Sequence, residues 1–426
     1  MNEADAIRLA AFRQLKKEIR GSQEYLIVGI DVAKDRHHVF FGTATGKTLF
    51  KRLVFGNNRE GFERLLLQAE ALEVQHGLSK VVFGVEPTAN YHKPLGEYLI
   101  GGGQMVVLVS NGAVKNNRPL LDGRWDKHDT KDSANVADLI SQGKCLFYEY
   151  AQGSLRELRK LLSLKRRLKK QEHGMKMRIR NHLLAQHFPE LDPYVSRSEG
   201  LAIVRWCLDP EMIAEMEFEQ FVRLVASGNG GIAQHRRLRA IWQQASHSIG
   251  CQVGEAGPFE AEVLVEGLRQ IRESIRATKA KIEQICVQFP EYPYLLSIPG
   301  FGPDVSAKVL GAIGEPSRFR WAKEVLKMAG LDLSANRSGK RSEGVTPVIS
   351  KKGKAELRYA LYQAAMIASS RNREFMIWFT NKLRGREREK GIKTKMRVKL
   401  SAKLLVIAWT LMKKQEPFDP SYLNLE

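Results

Sequence analysis

Two short apolar runs that each end in an acidic residue constrain the fold of this chain more than any other feature. Residues 26–30 read Leu-Ile-Val-Gly-Ile and lead to Asp31, and residues 81–85 read Val-Val-Phe-Gly-Val and lead to Glu86. Short apolar runs of this kind predict buried strands, and open α/β sheets place their sites at the carboxyl ends of such strands. The sequence therefore predicts a sheet with Asp31 and Glu86 at one edge.

A second pair of acids lies at a predicted helix start in residues 125–140. Asp129 and Asp132 are three residues apart, which places both on one helix face with Cβ atoms about 5–6 Å apart. Carboxylates gathered in this way repel one another unless cations bridge them. Asp126 precedes the expected helix start and Asp138 lies off the face of Asp132, so both are weaker candidates. We expect Asp31, Glu86, Asp129 and Asp132 to form one cluster.

The net charge suggests which cation and which substrate such a cluster serves. The chain carries a formal charge of +21, with 68 basic against 47 acidic side chains, and a strongly basic protein favours polyanionic partners. Nucleic acid is the first candidate and an anionic membrane the second. In this setting Mg²⁺ is the expected bridging cation, and a phosphate group is the expected substrate.

The order of elements predicts an α/β fold for residues 1–150. A leader helix in residues 1–24 is followed by predicted strands at 26–32, 37–41, 49–55, 80–85 and 104–109, with helices at 60–73 and 91–100. Three hairpin-linked strands followed by alternating helices and strands indicate an RNase H-like (RuvC-like) mixed sheet. Residues 42–48 are one residue short of a phosphate-binding loop and have no helix behind them, so we expect a hairpin turn there.

Residues 151–290 predict a basic, all-α region. Apolar residues recur at three- and four-residue steps around 158–179 and again around 264–285, which is typical of paired heptad helices. The pairing is expected either within one chain or between chains, and residues 190–257 form a helical insertion with no assigned role. The first helix is rich in basic residues, which we expect to contact nucleic acid: Arg159, Lys165, Arg166 and Lys169. A solvated basic face is the alternative.

Residues 291–426 predict a second helical domain that opens with a helix-hairpin-helix pattern. Residues 296–307 read Leu-Ser-Ile-Pro-Gly-Phe-Gly-Pro-Asp-Val-Ser-Ala. Gly300 and Gly302 let such a turn approach a DNA phosphate with its backbone amides. Lys351, Lys352, Lys354 and Arg358 are further candidates for phosphate contacts, and a solvated basic face is the alternative. A simple helix–helix turn is the alternative for the glycine motif.

Membrane and secretory classes are disfavoured. No apolar run of about 18 residues occurs, and the N-terminus lacks the apolar stretch of a secretory signal. Cys145, Cys207, Cys251 and Cys286 are widely scattered and show no zinc-binding spacing, which favours reduced thiols. We expect a cytoplasmic protein.

Taken together, the motifs resemble a known family. Besides the four acidic residues, the resemblance rests on Ser297-Ile-Pro-Gly-Phe-Gly-Pro303, Ala329-Gly330-Leu331, Ser338-Gly339 and Ile349-Ser-Lys-Lys-Gly353. These resemble the bacterial insertion-sequence transposases that join a RuvC-like DEDD domain to a helix-hairpin-helix transposase domain, among them the bridge-RNA-guided recombinases. Nearly the whole chain apart from the insertion is covered. Ser133 departs from the alanine common at that place in the family.

The resemblance implies a mechanism and partners. It implies that the DEDD cluster binds Mg²⁺ and that a serine of the last domain attacks the DNA phosphodiester. The serine matching the family motif is Ser338, with Lys340 beside it as a phosphate contact, and Ser334 and Ser342 are competing candidates. The resemblance further implies double-stranded donor and target DNA, a structured guide RNA, and a dimer or tetramer.

Three other functions remain open at this point. A DNA invertase of the same fold uses the same chemistry on a different DNA arrangement. A resolvase-like nuclease uses the DEDD cluster alone to activate water and forms no covalent intermediate. A non-catalytic nucleic-acid-binding protein uses only the basic helices and the hairpin motif.

Overall fold

The structure is a computed structural model that describes residues 3–121, 129–195, 198–226, 231–334 and 348–423. By its internal contacts the chain divides into two compact units, Met1–Ala151 and Gln152–Glu426. The second unit contains both of the helical regions predicted from the sequence, and their separation into two domains stays a prediction.

The described part of the first unit is built on a six-stranded mixed sheet. Its strands are β1 Tyr25–Asp31, β2 Arg36–Thr43, β3 Thr48–Gly56, β4 Lys80–Val85, β5 Val106–Leu108 and β6 Leu146–Phe147. The sheet order is β3-β2-β1-β4-β5-β6. Strands β1, β4 and β5 run parallel, and the pairs β1–β2, β2–β3 and β5–β6 are antiparallel. The predicted mixed sheet is confirmed, with β6 as a short strand that the apolar pattern did not indicate.

Five helices of the described part of the first unit cover this sheet. They are α1 Glu3–Glu18, α2 Arg59–His76, α3 His92–Gly101, α4 Asn111–Asn117 and α5 Asp129–Ser141. Strand β1 is buried on both faces, as expected of a central strand in a sheet covered on both sides. Leu26, Val28 and Ile30 pack in one core cluster with residues of α2 and α3. Tyr25 and Ile27 pack in the other with residues of α1 and α5, because side chains alternate along a strand.

The glycine-rich segment between β2 and β3 is a hairpin turn, as the sequence indicated. The amide of Thr43 donates to the carbonyl of Lys47 at 2.9 Å. Gly46 has a φ of 89°, a backbone conformation that glycine adopts without a steric cost. The segment joins two antiparallel strands and begins no helix, so it lacks the architecture of a phosphate-binding loop.

The described part of the second unit is helical apart from a short two-stranded ladder, β7 Leu333–Ser334 with β8 Val348–Ile349. Its helices are α6 Gly153–Arg178, α7 Ala185–His187, α8 Ser198–Trp206, α9 Pro210–Glu215, α10 Phe218–Val225, α11 Ile232–Ala245, α12 Ala256–Cys286, α13 Tyr292–Leu296, α14 Pro303–Ile313, α15 Ala322–Ala329, α16 Ala355–Arg371, α17 Arg373–Leu383 and α18 Ile392–Lys414. No described helix is long and apolar enough to cross a bilayer.

The two long helices α6 and α12 pair antiparallel within the chain. Near the start of α6 the Ser154 hydroxyl donates to Gln288, just beyond the end of α12, at 2.6 Å. Farther along, Arg272 Nε donates to Glu172 at 3.4 Å. Of the two pairings left open by the heptad pattern, the structure thus shows the one within a single chain.

The segment between α6 and α12 has a core of its own. Residues of the α6 end, of α8 to α11 and of the α12 start form one hydrophobic cluster, in which Phe188, Phe221 and Ile241 are buried. A second cluster joins the other ends of α6 and α12 to α13–α18. The predicted helical insertion therefore has its own hydrophobic core, to which the four short helices α8 to α11 contribute apolar side chains.

Candidate active site

Helix α5 lies directly on β1 and β4 because each strand carries a glycine beneath it. A Cβ built on Gly29 would lie 2.2 Å from the carbonyl oxygen of Ser133, and one built on Gly84 would lie 1.9 Å from Cδ1 of Ile140. Such distances leave no room for a side chain on either strand. The glycines two residues before Asp31 and Glu86 are thus what permits α5 to approach the strands that carry these acids.

Asp31 and Glu86 are neighbours at the carboxyl end of the parallel pair β1–β4. Ile30 is paired with Val85 in the ladder, so the residues that follow them emerge side by side. Both acids are half-buried. Alternation along the strands puts them on the same face as Gly29 and Gly84, which is the face that α5 covers.

Asp129, the first residue of α5, contacts His38 at the same edge of the sheet. On β2, His38 stands opposite Asp31 in the antiparallel ladder. Its Nε2 lies 3.1 Å from Oδ2 of Asp129, whose side chain is 60% exposed. No sequence motif around His38 predicts this contact, because its position opposite Asp31 follows from strand register.

Asp132 lies one turn farther along α5 and is buried, with a side-chain exposure of 3%. The guanidinium of Arg118 donates from Nε to Oδ1 of Asp132 at 2.7 Å. A buried carboxylate needs such a charged donor, because removal from water is costly without a partner. Asp129 and Asp132 both belong to the first turn of α5, where the helix dipole also favours negative charge.

A buried amide network fixes α4 and the following turn on α5. Asn117 donates from Nδ2 to Oδ1 of Asn135 at 2.9 Å and to Oδ2 of Asp138 at 2.7 Å. Asn135 in turn donates to the carbonyl of Val114 at 2.8 Å. Because Arg118 directly follows Asn117, the network sets the position of its backbone relative to Asp132. Asp138, weighed as an alternative acid, is engaged in this network.

We refer to Asp31, Glu86, Asp129 and Asp132 as the four acids. Within the described ranges, no three histidine, cysteine, aspartate or glutamate side chains converge closely enough to share a metal ion. The donor set nevertheless fits a hard divalent cation in kind, since Mg²⁺ prefers carboxylate oxygens, and the backbone brings all four acids to one edge of the sheet. In this arrangement Asp129 faces His38 and Asp132 faces Arg118.

The remaining predicted catalytic residue, Ser338, lies outside the described residues. The same holds for its neighbour Lys340 and for the competing Ser342. Ser334 is described: it belongs to β7, is exposed, and pairs with Val348.

The second unit contains a basic groove of about 1030 Å³ between α6, α14 and α16. Its lining includes seven basic side chains against two acidic ones. The basic residues are Arg159, Lys165, Arg166, Lys169, Lys279, Lys308 and Lys354, and the acidic ones are Asp304 and Glu356. All four basic residues of α6 singled out in the sequence thus line one groove. Lys354, also predicted from the sequence as a phosphate contact, lies in the same lining. Lys279 and Lys308 were not predicted, because nothing in their local sequence marks them.

The basic residues of the groove are not equivalent. Lys165 is buried and donates to Asp304, which Lys308 also contacts at 2.8 Å. Arg159 donates from Nε to the carbonyl of Gly311 at 2.7 Å, near the end of α14. Arg166 and Lys169 have 63% and 51% of their side chains exposed. Lys165 and Arg159 therefore hold α6 to α14, whereas Arg166 and Lys169 are exposed to solvent.

Burial and hydrogen bonding act in opposite directions on the pKa values of Lys165 and Asp304. Burial lowers the pKa of Lys165, and its hydrogen bond to Asp304 opposes that shift. For Asp304, burial by itself would raise the pKa, but the hydrogen bonds from Lys165 and Lys308 outweigh it and leave the pKa below its usual value. The aspartate therefore stays ionised at neutral pH, and the pair is an internal link between the two helices.

The other predicted phosphate contacts are Lys351 and Lys352, on the loop before α16, and Arg358, in the first turn of α16. Lys351 and Lys352 are exposed. Arg358 donates from Nη1 to the carbonyls of Ala329 and Gly353, at 2.9 and 3.1 Å, so its guanidinium holds this loop against the end of α15.

The two glycines between α13 and α14 differ in their surroundings. Gly300 has a φ of 88°, and a Cβ there would lie 2.4 Å from the carbonyl oxygen of Ala364 on α16. Gly302 has open space around it. Gly300 is thus required for packing within the second unit, and a role of this turn in binding DNA stays a prediction.

Two family models match this chain. One is a transposase model of the IS110 DEDD type, which matches residues 28–189, and the other is described as the transposase IS116/IS110/IS902 family and matches residues 292–377. The first range contains all four acids, and a DEDD transposase domain implies a divalent metal ion. The second range contains Ser338 and Arg358.

The chain is also similar to named proteins. It is 25% identical to the insertion element IS110 uncharacterized 43.6 kDa protein of Streptomyces coelicolor over 327 residues, which is 75% of this chain and 78% of that protein. It is 29% identical to the pilin gene-inverting proteins of Moraxella lacunata and Moraxella bovis over 197 residues. That alignment spans 43% of this chain and 59% of each inverting protein.

Proposed function

The chain is a DNA transposase or recombinase that carries IS110-type transposase domains, and from this premise we propose that it cuts and rejoins double-stranded DNA with the four acids and the hydroxyl of Ser338. One observation supports this most: the packing of α5 on Gly29 and Gly84 gathers acids from three separate segments at one edge of a sheet. Without Gly29 and Gly84, α5 could not lie close enough to the strands to bring Asp129 and Asp132 near Asp31 and Glu86.

In the proposed reaction, Oγ of Ser338 attacks the phosphorus of a DNA phosphodiester and loses its proton. A phosphoserine ester forms while the bond to one deoxyribose oxygen breaks, and that oxygen leaves as a hydroxyl. Because one phosphate ester replaces another, the step is reversible, and a different DNA hydroxyl then releases the serine without ATP. A divalent ion bound by the four acids would neutralise charge that develops on the phosphoryl oxygens.

The basic groove is the proposed contact with nucleic-acid phosphates. Arg166 and Lys169 are its exposed basic residues on α6, and Lys351 and Lys352 extend the proposal to the exposed loop before α16. Contacts of lysine and arginine with phosphate hold nucleic acid in register and carry little sequence information. Target choice is therefore assigned to a structured guide RNA, as the resemblance implies.

Strand exchange needs cuts at more than one position, so we propose a dimer or tetramer as the active form, associated with the bacterial nucleoid.

A second candidate is DNA inversion, and the names of the two Moraxella relatives favour it. The chemistry is the same as in transposition, because both exchange strands by breaking and reforming phosphodiesters. The two differ in the arrangement of the DNA sites, so the reaction products decide between them. A plasmid with two inverted candidate sites gives an inverted segment if the protein is an invertase. It gives an excised or inserted element if the protein is a transposase.

The central experiment is to trap the covalent intermediate. The full chain is incubated with Mg²⁺, element-end DNA and co-purified RNA, then denatured and analysed for DNA–protein adducts. Adducts are expected for the wild type and are absent in Ser338→Ala, whereas Ser334→Ala and Ser342→Ala retain them. Cleavage without any adduct would favour the water-activating nuclease, and binding without cleavage would favour the non-catalytic protein.

The guide RNA has its own test. Protein is purified from cells that carry the flanking element, and the bound RNA is sequenced. One discrete species encoded beside the gene supports an RNA-guided recombinase. Heterogeneous RNA, or none, would contradict the guide and leave target recognition to the protein.

A further inference from the structure

The position of Arg118 is not explained by catalysis or by a hydrophobic core. Its guanidinium donates to Asp132 at 2.7 Å, and only 19% of the arginine side chain is exposed. Asp132, at 3% exposed, is the most deeply buried of the four acids. An arginine contact to a deeply buried carboxylate compensates the cost of taking that charge out of water.

Hydrogen bonds to α5 hold the backbone next to Arg118 in place. Asn117, the residue before it, is buried and donates to both Asn135 and Asp138 on α5. Asn135 is one turn beyond Asp132 on the same helix. The segment that carries Arg118 is therefore attached to the helix that carries its partner, so the cation is built into the site together with the acid.

We propose that Arg118 is the resident counter-charge of the four acids, and that it competes with the divalent ion for Asp132. This inference rests on the proposed function, because it takes Asp132 as one of the metal-binding acids. In the absence of metal, Arg118 offsets the repulsion among the carboxylates and keeps Asp132 in place. An ion that engages Asp132 displaces the guanidinium or is opposed by its positive charge.

The competition predicts in which direction the removal of the Arg118 charge changes stability and metal binding. Removing the charge of Arg118 destabilises the metal-free protein, because the buried Asp132 carboxylate loses this charged donor. The same change strengthens metal binding, because it removes both a competitor and a like charge. A residue with a purely structural role would weaken the fold without strengthening metal binding.

The test is a titration of the nucleic-acid-free full chain with MgCl₂ at constant ionic strength, followed by the midpoint of thermal unfolding. Arg118→Gln is expected to lower the midpoint without Mg²⁺ and to reduce the half-saturating Mg²⁺ concentration by about tenfold. Arg118→Lys keeps the charge and should fall between the two proteins. Lys115→Gln removes the same charge from an exposed position on α4 and should behave as the wild type.

Each outcome decides the inference. An unchanged or higher half-saturating concentration in Arg118→Gln, with a clear response in the wild type, overturns it and leaves the proposed metal site intact. No response to Mg²⁺ in either protein overturns the metal site and this inference with it. If Arg118→Gln folds only with Mg²⁺, the inference is supported. If Arg118→Gln does not fold at any Mg²⁺ concentration and Arg118→Lys titrates as the wild type does, the inference is contradicted.

Discussion

The carbonyl oxygen of Ser133 on α5 lies 2.2 Å from the point where a Cβ on Gly29 of β1 would stand. Real Cβ atoms do not come this close to a backbone oxygen. The contact fixes the depth of α5 on the sheet, and α5 carries two of the four acids. Ser133 itself is buried and donates from its hydroxyl to the carbonyl of Thr130 at 3.0 Å, so a serine is accommodated here without an unpaired hydroxyl.

Gly29→Ala is expected to destabilise the protein by about 1–3 kcal/mol, because α5 must move away from the strand. DNA cleavage should fall more than stability does, since that movement also displaces Asp129 and Asp132. Urea unfolding of the full chain and a cleavage assay measure the two effects. Gly112→Ala is the matched control, because a Cβ on Gly112 of α4 meets open space. Equal stability of both variants would contradict the packing argument.

Asp129→Asn is expected to abolish strand cleavage while nucleic-acid binding and the circular dichroism spectrum stay near those of the wild type. The reason is that the side chain is 60% exposed, so its replacement removes the carboxylate charge from the proposed metal site without disturbing a core. Asp35→Asn provides the control, because Asp35 is an exposed acid in the turn between β1 and β2. Cleavage by Asp129→Asn at the rate of the wild type would remove Asp129 from the proposed site.

The double variant Arg166→Gln, Lys169→Gln is expected to reduce the slope of log affinity against log salt concentration by about one unit for each phosphate that the variant no longer binds. Both side chains are exposed in the basic groove, which is why their replacement should act on binding. Lys169→Gln also removes a hydrogen bond to Glu172, so the stability of the double variant is measured beside its affinity. Fluorescence anisotropy with labelled duplex at several KCl concentrations measures the slope.

The matched control is Lys160→Gln, a lysine of α6 that is 59% exposed and lies outside the residues that line the groove. If the control and the double variant change the slope equally per charge removed, the groove is not the site of phosphate contact. Lys165→Met should instead lower stability, because it takes away the buried lysine that links α6 to the Asp304 carboxylate on α14.

Glu172→Gln is expected to lower the free energy of unfolding by about 1–3 kcal/mol at pH 7. Burial by itself would raise the pKa of Glu172, but hydrogen bonds from Lys169 and Lys176 lower it from 4.5 to about 2. A lowered pKa means that the contribution is fully present above pH 4.5 and is lost as the pH falls toward 2. The difference between the two proteins should therefore shrink across that interval.

Denaturant unfolding at several pH values checks this, with Glu157→Gln as control. Glu157 is 53% exposed and pairs with Lys160 on the surface of α6, where an ion pair contributes little. A difference between Glu172→Gln and the wild type that stays constant from pH 7 to pH 2 would show that the carboxylate charge is not what stabilises the pairing of α6 with α12.

Local patterns in the sequence were sufficient to predict several elements of the fold. The apolar run before Glu86 predicted strand β4 within its observed bounds. Helix α2 was expected at residues 60–73 and extends to His76, where Gly77 ends it in a left-handed conformation. Apolar spacing and end signals of this kind act over a few residues, so they can be interpreted without knowing what lies opposite.

The pairing of side chains, in contrast, depends on how distant segments pack. His38 reaches Asp129, and Arg118 reaches Asp132, because an antiparallel register and a buried asparagine network bring separate segments together. Lys165 and Arg166 are adjacent in a basic run, yet one is buried against Asp304 and the other is exposed. Charge and spacing along a helix do not encode the partner on another helix. The acids could therefore be predicted from the sequence, whereas the side chains that contact them, His38 and Arg118, could not.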